Sequence, residues 1–249
     1  MPLMDEFRKE RDQIKKQPLK KKLAYFWTYY KWFVIGGLIA IILIVTTAKA
    51  YMDKKEYALY GVMLNGYSLS QEEEPLATGF EEYAGIDTNK YSVSFNSTLT
   101  MTDQMDQSGI GATQFIMVYI AAKDLDVTVM DLKRFGKYAN GDTYLDLREL
   151  LDADMLDKLS DKLYYVDKSV VEEINSLESS SESTDDVVIP DPFQPENMEK
   201  PIPVGIDLSE CKKFTDAYYY ENNEAYFGVI VNTENRDLAL KLIQYLFSE

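Results

Sequence analysis

The sequence predicts an α/β domain carried behind one N-terminal membrane helix, and three observations lead there. Trp32 to Ala48 (WFVIGGLIAIILIVTTA) is a run of 17 residues without a formal charge. From Glu56 onward, short runs of β-branched and aromatic residues alternate with segments of helical period, the pattern of βαβ units around a mostly parallel sheet. Composition agrees: 46% hydrophobic residues in a chain of 249 are ample for a packed core, which excludes disorder throughout.

The apolar run covers roughly 26 Å as a helix, a little short of a hydrocarbon core of about 30 Å, so its flanks must help. Tyr25, Phe26, Trp27, Tyr29, Tyr30, Trp32 and Phe33 form an aromatic belt on one side and Tyr51 stands on the other. Lys31 and Lys49 can snorkel to the interfaces. Residues 1–31 hold nine basic and four acidic side chains, a net of +5, whereas the remainder holds 17 and 38, a net of −21. Only Lys49, Lys54 and Lys55 lie near the far end, so the basic excess sets the N-terminus in the cytoplasm and the large domain outside the cell. The expected layout is a basic cytoplasmic arm at 1–31 that attracts anionic lipid, a transmembrane helix at 32–48, a juxtamembrane linker at 49–55 and an extracytoplasmic domain at 56–249. Ala48-Lys49-Ala50 also fits a signal-peptidase site, but 31 residues make a long n-region, and an uncleaved anchor is preferred.

Within the domain, Tyr57 to Leu64 is a strand ending in the turn pair Asn65-Gly66. Ser70 with Glu73 forms a capping-box pattern, after which Leu76, Phe80, Tyr83 and Ala84 share a helical face. Tyr91 to Phe95 alternates as a second strand. Ala112 to Lys123 is apolar on most sides, as a helix sandwiched against a sheet would be. Val127 to Met130 is a strand that ends at Asp131, a cap for a short helix through Phe135 and Tyr138. A short strand at Leu145 to Leu147 and an acidic helix from Asp152 to Leu163 follow. Residues 176–201 (SLESSSESTDDVVIPDPFQPENMEKP) read as a flexible acidic, Ser/Pro-rich insertion. Strands at Pro203 to Ile206 and Tyr226 to Val231 come next. A closing helix from Asn232 or Thr233 carries Leu238, Leu242, Ile243 and Leu246 on one stripe.

Two stretches, LDVTVMDLKRFGKYANGDTYLDLRELL and YFGVIVNTENRDLALKLIQYLF, with the order strand, helix, strand, apolar helix before them, resemble the first lobe of type 2 extracellular (periplasmic) solute-binding proteins. The resemblance covers Glu56 to Leu151 and Pro201 to Phe247. The text KLAYFWTYYKWFV ahead of such a domain also resembles a family of uncharacterised single-pass membrane proteins of Gram-positive bacteria. The resemblance implies a solute-binding-protein-like lobe and, as one reading, a membrane-tethered solute-binding component of an ABC transporter. The window for a second lobe, residues 152–200, holds only 49 residues, half of them low-complexity, so a two-lobed clamshell is not expected.

Chemistry is sparse. A net charge of −16 argues against a nucleic-acid partner. No histidine is present, which removes Ser-His and Cys-His pairs, and Cys211 alone makes no internal disulfide, a bacterial trait for an exported domain. Asn96-Ser97-Thr98 matches a glycosylation sequon by chance in that setting. Asp152, Asp154, Asp157 and Asp161, or Asn140, Asp142 and Asp146, lack the spacing of a calcium loop. Gly109-Ile110-Gly111 lacks the third glycine of a dinucleotide loop, and Cys211 beside Lys212 and Lys213 reads as an idle small residue. No metal or cofactor is expected. Open α/β sheets bind ligands beyond the carboxyl ends of their strands, which selects Asn65, Gly66, Tyr67, Asn96, Ser97 and Asp131, with a turn and an N-cap as the plainer roles. Tyr218 and Tyr220, within a run of three tyrosines, are candidates for an aromatic contact surface or for a β-ribbon. The expected function is non-catalytic recognition of another envelope protein, with a small solute as the alternative ligand.

Overall fold

A computed structural model describes residues 18–52, 55–70, 74–102 and 107–248, which divide into two units, 1–54 and 55–249. The basic residues before position 18, Lys54, and Glu73 of the capping pattern lie outside the described residues.

The described residues of the first unit form one helix, α1 (Leu19–Met52). It contains Tyr30–Lys49, 20 residues of mean hydropathy 2.1, none of them buried. The helix therefore runs past both ends of the uncharged core, taking in part of the basic arm and most of the linker. Its length and composition suit a membrane span or a signal sequence.

The second unit is a layered α/β domain. Its strands are β1 (Glu56–Met63), β2 (Tyr67–Ser68), β3 (Tyr91–Asn96), β4 (Val127–Met130), β5 (Leu163–Asp167), β6 (Pro201–Asp207), β7 (Tyr218–Tyr219) and β8 (Tyr226–Val229). Six of them form a sheet of order β3-β1-β4-β8-β6-β5, and β2 pairs with β7 apart. β3, β1 and β4 are parallel, while β8 and β5 run against their neighbours, so four of the six strands share one direction. The strand period of two feeds two cores. Leu59 and Met63 of β1, with Val127 and Val129 of β4, face α2 (Pro75–Ala84) and the C-terminal helix. Tyr60 and Val62, with Met130, face α3 (Gln107–Ala122) and α4 (Leu132–Ala139).

Five elements differ from the sequence reading. α3 is not sandwiched: Ala112 and Ile116 are buried, but Ile110, Met117 and Val118 are 48%, 62% and 63% exposed. Leu145 to Leu147 forms no strand. Tyr144 makes a lone bridge to Ile230, and Leu147–Glu149 is a 3-10 turn capped by Asp146. The acidic helix ends early, as α5 (Ala153–Lys158), because the chain must turn to deliver Leu163 into β5. α6 (Lys168–Ser179) then occupies the start of the Ser/acid-rich stretch. The window that would hold a second lobe thus adds a strand and two helices to the same layers. After α7 (Lys212–Thr215), the C-terminal helix α8 (Arg236–Leu246) starts later than Asn232, since Thr233 is buried against Asp126. Its C-terminal carbonyls receive Lys213 Nζ, at 3.0 Å from Tyr245 O.

Both sheet edges are occupied. The outward N–H groups of Val93 and Phe95 in β3 donate to Glu81 (2.8 Å) and Glu74 (3.2 Å), two carboxylates carried at the flank of the same helix. On β5, Tyr165 N–H donates to Pro192 O at 3.0 Å.

The end of the insertion is clipped at Asp167, which is 4% exposed. Its carboxylate accepts from Glu199 N (2.6 Å), Lys200 N (3.1 Å) and Ser169 N (3.0 Å). Burial pushes this carboxyl upward, but the hydrogen bonds from Ser169, Glu199 and Lys200 outweigh it and hold it below its ordinary value of 3.8. A depressed folded-state pKa contributes stability above the unfolded value and loses it as pH falls through the folded one. The melting temperature of the domain is therefore expected to drop below about pH 4. Asp167→Asn is expected to melt lower at neutral pH and to converge on the parent in acid. Parallel melting curves from pH 6 to pH 2.5 check this, and a gap of constant size would refute it.

Candidate functional site

In the parallel part of the sheet, β1 passes the chain to β3 on one side and β4 lies on the other. The strand order therefore reverses between β1 and β4, and a crevice opens at their carboxyl ends, where such sheets bind their ligands. It measures about 510 Å³ and is lined by Asn65, Tyr67, Thr100, Met101, Asp131 and Arg134 within, with Lys133, Glu221 and Glu224 also on its walls.

The sequence puts these groups there by simple means. Asn65 closes the turn after β1 with φ of 60°, a left-handed conformation asparagine tolerates. Its amide then clamps the loop after β3: Oδ1 accepts from Met101 N (2.7 Å), and Nδ2 donates to Met101 O (3.0 Å) and to Asp131 Oδ2 (3.3 Å). Asp131 caps α4, accepting from Arg134 N at 3.1 Å, and binds the Arg134 guanidinium at 2.9 Å. Both side chains of that ion pair are only 16% exposed. Gly66 is required because a Cβ there would stand 2.8 Å from Tyr220 Oη. That hydroxyl crosses the turn to donate to Val129 O at 3.0 Å. Burial pushes the Tyr220 phenol well above its ordinary range.

Of the sequence candidates, Asn65, Tyr67, Asp131 and Tyr220 line this crevice, and Gly66 lies in the adjoining turn against Tyr220. Asn96 and Ser97 do not line it. Asn96 instead folds an Asx turn onto Thr98 N (2.9 Å) and donates to Tyr60 Oη (3.1 Å). Tyr218 is 3% exposed and stacks on Phe214 at 5.5 Å, so it belongs to the core. Two tyrosines of the β2–β7 ribbon are exposed, Tyr67 and Tyr219, 58% and 54%, which register opposite each other with ring centroids 6.4 Å apart. The tyrosine run left open which of its rings face out, so Tyr219 was missed for its two neighbours, whereas Arg134 was legible in its place three residues after a strand-ending aspartate. Glu221 and Glu224 carried no signal.

Among the described residues, no group of three His, Cys, Asp or Glu side chains stands ready for a metal ion. Cys211 is buried, its thiol directed at Leu246 O (3.4 Å) and pushed up by that burial. No protein-family model matches the chain, and no curated protein or solved structure matches it significantly.

Proposed function

We propose that the chain is a membrane-anchored recognition module, N-terminus inside, whose α/β domain contacts another envelope protein through the mouth of the switch-point crevice. One observation carries this reading: inside the crevice the polar groups are spent on one another, while its rim offers an exposed tyrosine pair. Asn65, Asp131 and Arg134 form a closed set of hydrogen bonds. A ligand seated there would have to break them. Tyrosine with nearby charged side chains is the composition of protein contact sites, where large rigid rings bury much area at little entropic cost. Non-catalytic binding, with no cofactor, follows from the same pairing.

A solute-binding role in an ABC transporter is the second reading. The crevice volume favours it, because 510 Å³ lies inside the range of about 300–1,000 Å³ typical of small-ligand sites.

A photocrosslinker at position 67 or 219 of the full-length protein, irradiated in its native membrane, separates the two. Recognition predicts a discrete adduct with an envelope protein that Tyr219→Ala (probe at 67) or Tyr67→Ala (probe at 219) weakens about tenfold, with the melting temperature unchanged. The solute reading predicts adducts with permease subunits and a solute-dependent rise in melting temperature. Absence of any adduct at either position overturns the recognition reading.

A further inference from the structure

A second concavity, of about 630 Å³, opens between α4, α6 and the segment 184–193, with Tyr164 of β5 also on its walls. It shares Lys133 with the switch-point crevice and otherwise has its own lining. Most of that lining is apolar: Leu132 of α4, Ile174 of α6, and Ile189, Pro192 and Phe193 of the segment. Phe193 meets Tyr164 edge-on with ring centroids 5.8 Å apart. Phe193 and Ile189 are half-exposed, apolar area that an occupant of the cleft would take out of water. The exposed Lys133 and Lys137 of α4 are matched in number by Glu178 of α6 and Asp191, so the formal charge around the cleft sums to zero.

Two polar side chains on these walls are more than nine-tenths buried and only partly used by the fold. Tyr164 is 4% exposed, and its hydroxyl has no hydrogen-bond partner among the described residues. Asn140 is 7% exposed. Its Nδ2 donates to Gly136 O at 2.8 Å, which fixes the orientation of the amide and leaves Oδ1 an acceptor without a partner among those residues. Both groups stand at one turn of α4, for a Cβ on Gly136 would lie 2.9 Å from Tyr164 Oη. Burial and the neighbouring Asp191 carboxylate push the phenol up to about 12, so it keeps its proton and is a donor across the physiological range. A buried donor and a buried acceptor left open in this way lose their water without gaining a bond, unless a ligand supplies both.

We infer that this cleft binds a small, uncharged, mostly apolar molecule carrying a hydroxyl group, an alcohol or phenol whose oxygen accepts from Tyr164 Oη and whose hydrogen goes to Asn140 Oδ1. A hydroxyl does both through a single oxygen. A carboxylate or phosphate has no hydrogen for Asn140 Oδ1 and would set lone pairs against it. An ammonium has no acceptor for the Tyr164 hydrogen, and Lys133 and Lys137 stand on the same helix as Asn140 and repel it. A plain hydrocarbon fills the apolar part and leaves both buried groups unpaired. The hydroxyl is thus the group that selects, while the apolar walls supply contact area.

Fluorine NMR of 4-fluorophenol with the full-length protein in nanodiscs tests it, with empty nanodiscs as the blank. Fluorobenzene, which lacks the hydroxyl, and 4-fluorobenzoate, which carries a charge, are the comparison probes. The phenol is expected to show saturable line broadening and the other two to bind about tenfold more weakly or worse. Tyr164→Phe is expected to lower the phenol's affinity about fivefold or more and to leave fluorobenzene unaffected. The melting temperature of the free Tyr164→Phe protein should hold or rise, because the fold makes no bond to that hydroxyl. Phe193→Ala, at the half-exposed wall, is expected to weaken the phenol as well. No saturable binding of the phenol, equal binding of fluorobenzene or fluorobenzoate, or a phenol affinity indifferent to Tyr164→Phe or to Phe193→Ala overturns the inference. The cleft shares no residue with the β2–β7 ribbon, so none of these outcomes bears on the tyrosine-pair crosslink.

Discussion

Phe135→Ala is expected to cost the α/β domain about 3–5 kcal/mol, at the upper end of core truncations. The ring is fully buried, stacked on Tyr144 at 4.5 Å and met edge-on by Tyr164 at 5.0 Å, with Tyr226 at 6.0 Å. Its other walls are the Cα atoms of Gly205 in β6 and Gly228 in β8, positions where an added Cβ would collide with the ring. Glycine-lined strands have no side chain to swing into the vacated volume, and the sheet backbone cannot collapse without breaking its ladder. The cavity should therefore stay open. For a domain of this size the loss lowers the melting temperature by roughly 6–20 °C. Calorimetry of the domain checks it, and a shift under about 2 °C would mean that the site closes after all.

Asp126→Ala is expected to be comparably damaging, at about 3 kcal/mol or more, for a different reason. Asp126 is 3% exposed and its carboxylate is a joint between distant parts of the chain. Oδ2 accepts from Tyr60 N in β1 at 2.8 Å, and Oδ1 accepts from Asn235 Nδ2 at 3.1 Å and from the Thr233 hydroxyl. Removing it strands three donors in the interior, each of which then bears its own desolvation cost. Amide exchange reports the location: Tyr60 N–H should lose protection more than Leu64 N–H, whose partner Val129 O is untouched. Asp126→Asn keeps the acceptor oxygen and should recover part of the loss. Equal protection at Tyr60 in the alanine variant and the parent would contradict the assignment.

What was legible in the sequence was local. β3 announced itself by alternation, β1 and β4 by short apolar runs that end in a turn pair and a capping residue, and Asp131 by its place between a strand and an amphipathic turn. The missed pieces depend on partners far along the chain. Leu163–Asp167 is a strand because Pro201–Asp207 returns to pair with it, and nothing within LYYVD separates it from the acidic helix ahead. For α3 the apolar text was read correctly, but whether both faces are covered depends on layer count, which periodicity does not contain. At the site, the Asn-Gly turn and the capping aspartate were visible. Their clamp on Met101 was not, since it joins residues 36 apart. The tyrosine run showed that some rings would face out, while strand phase, fixed by pairing with β2, decided which.

The occupied sheet edges bear on how this domain can meet other molecules at all. A strand with free N–H groups accepts any extended segment, native or not, and so invites both strand-adding partners and fibrils. Here Glu74 and Glu81 already stand in for the carbonyls that a new strand would bring, and Pro192 does the same on the far side. At these three positions the edge backbone is thereby withdrawn from strand addition. A domain closed to strand addition at these positions keeps its edge contacts selective, because they must then be made by side chains whose shape and spacing a wrong partner does not match.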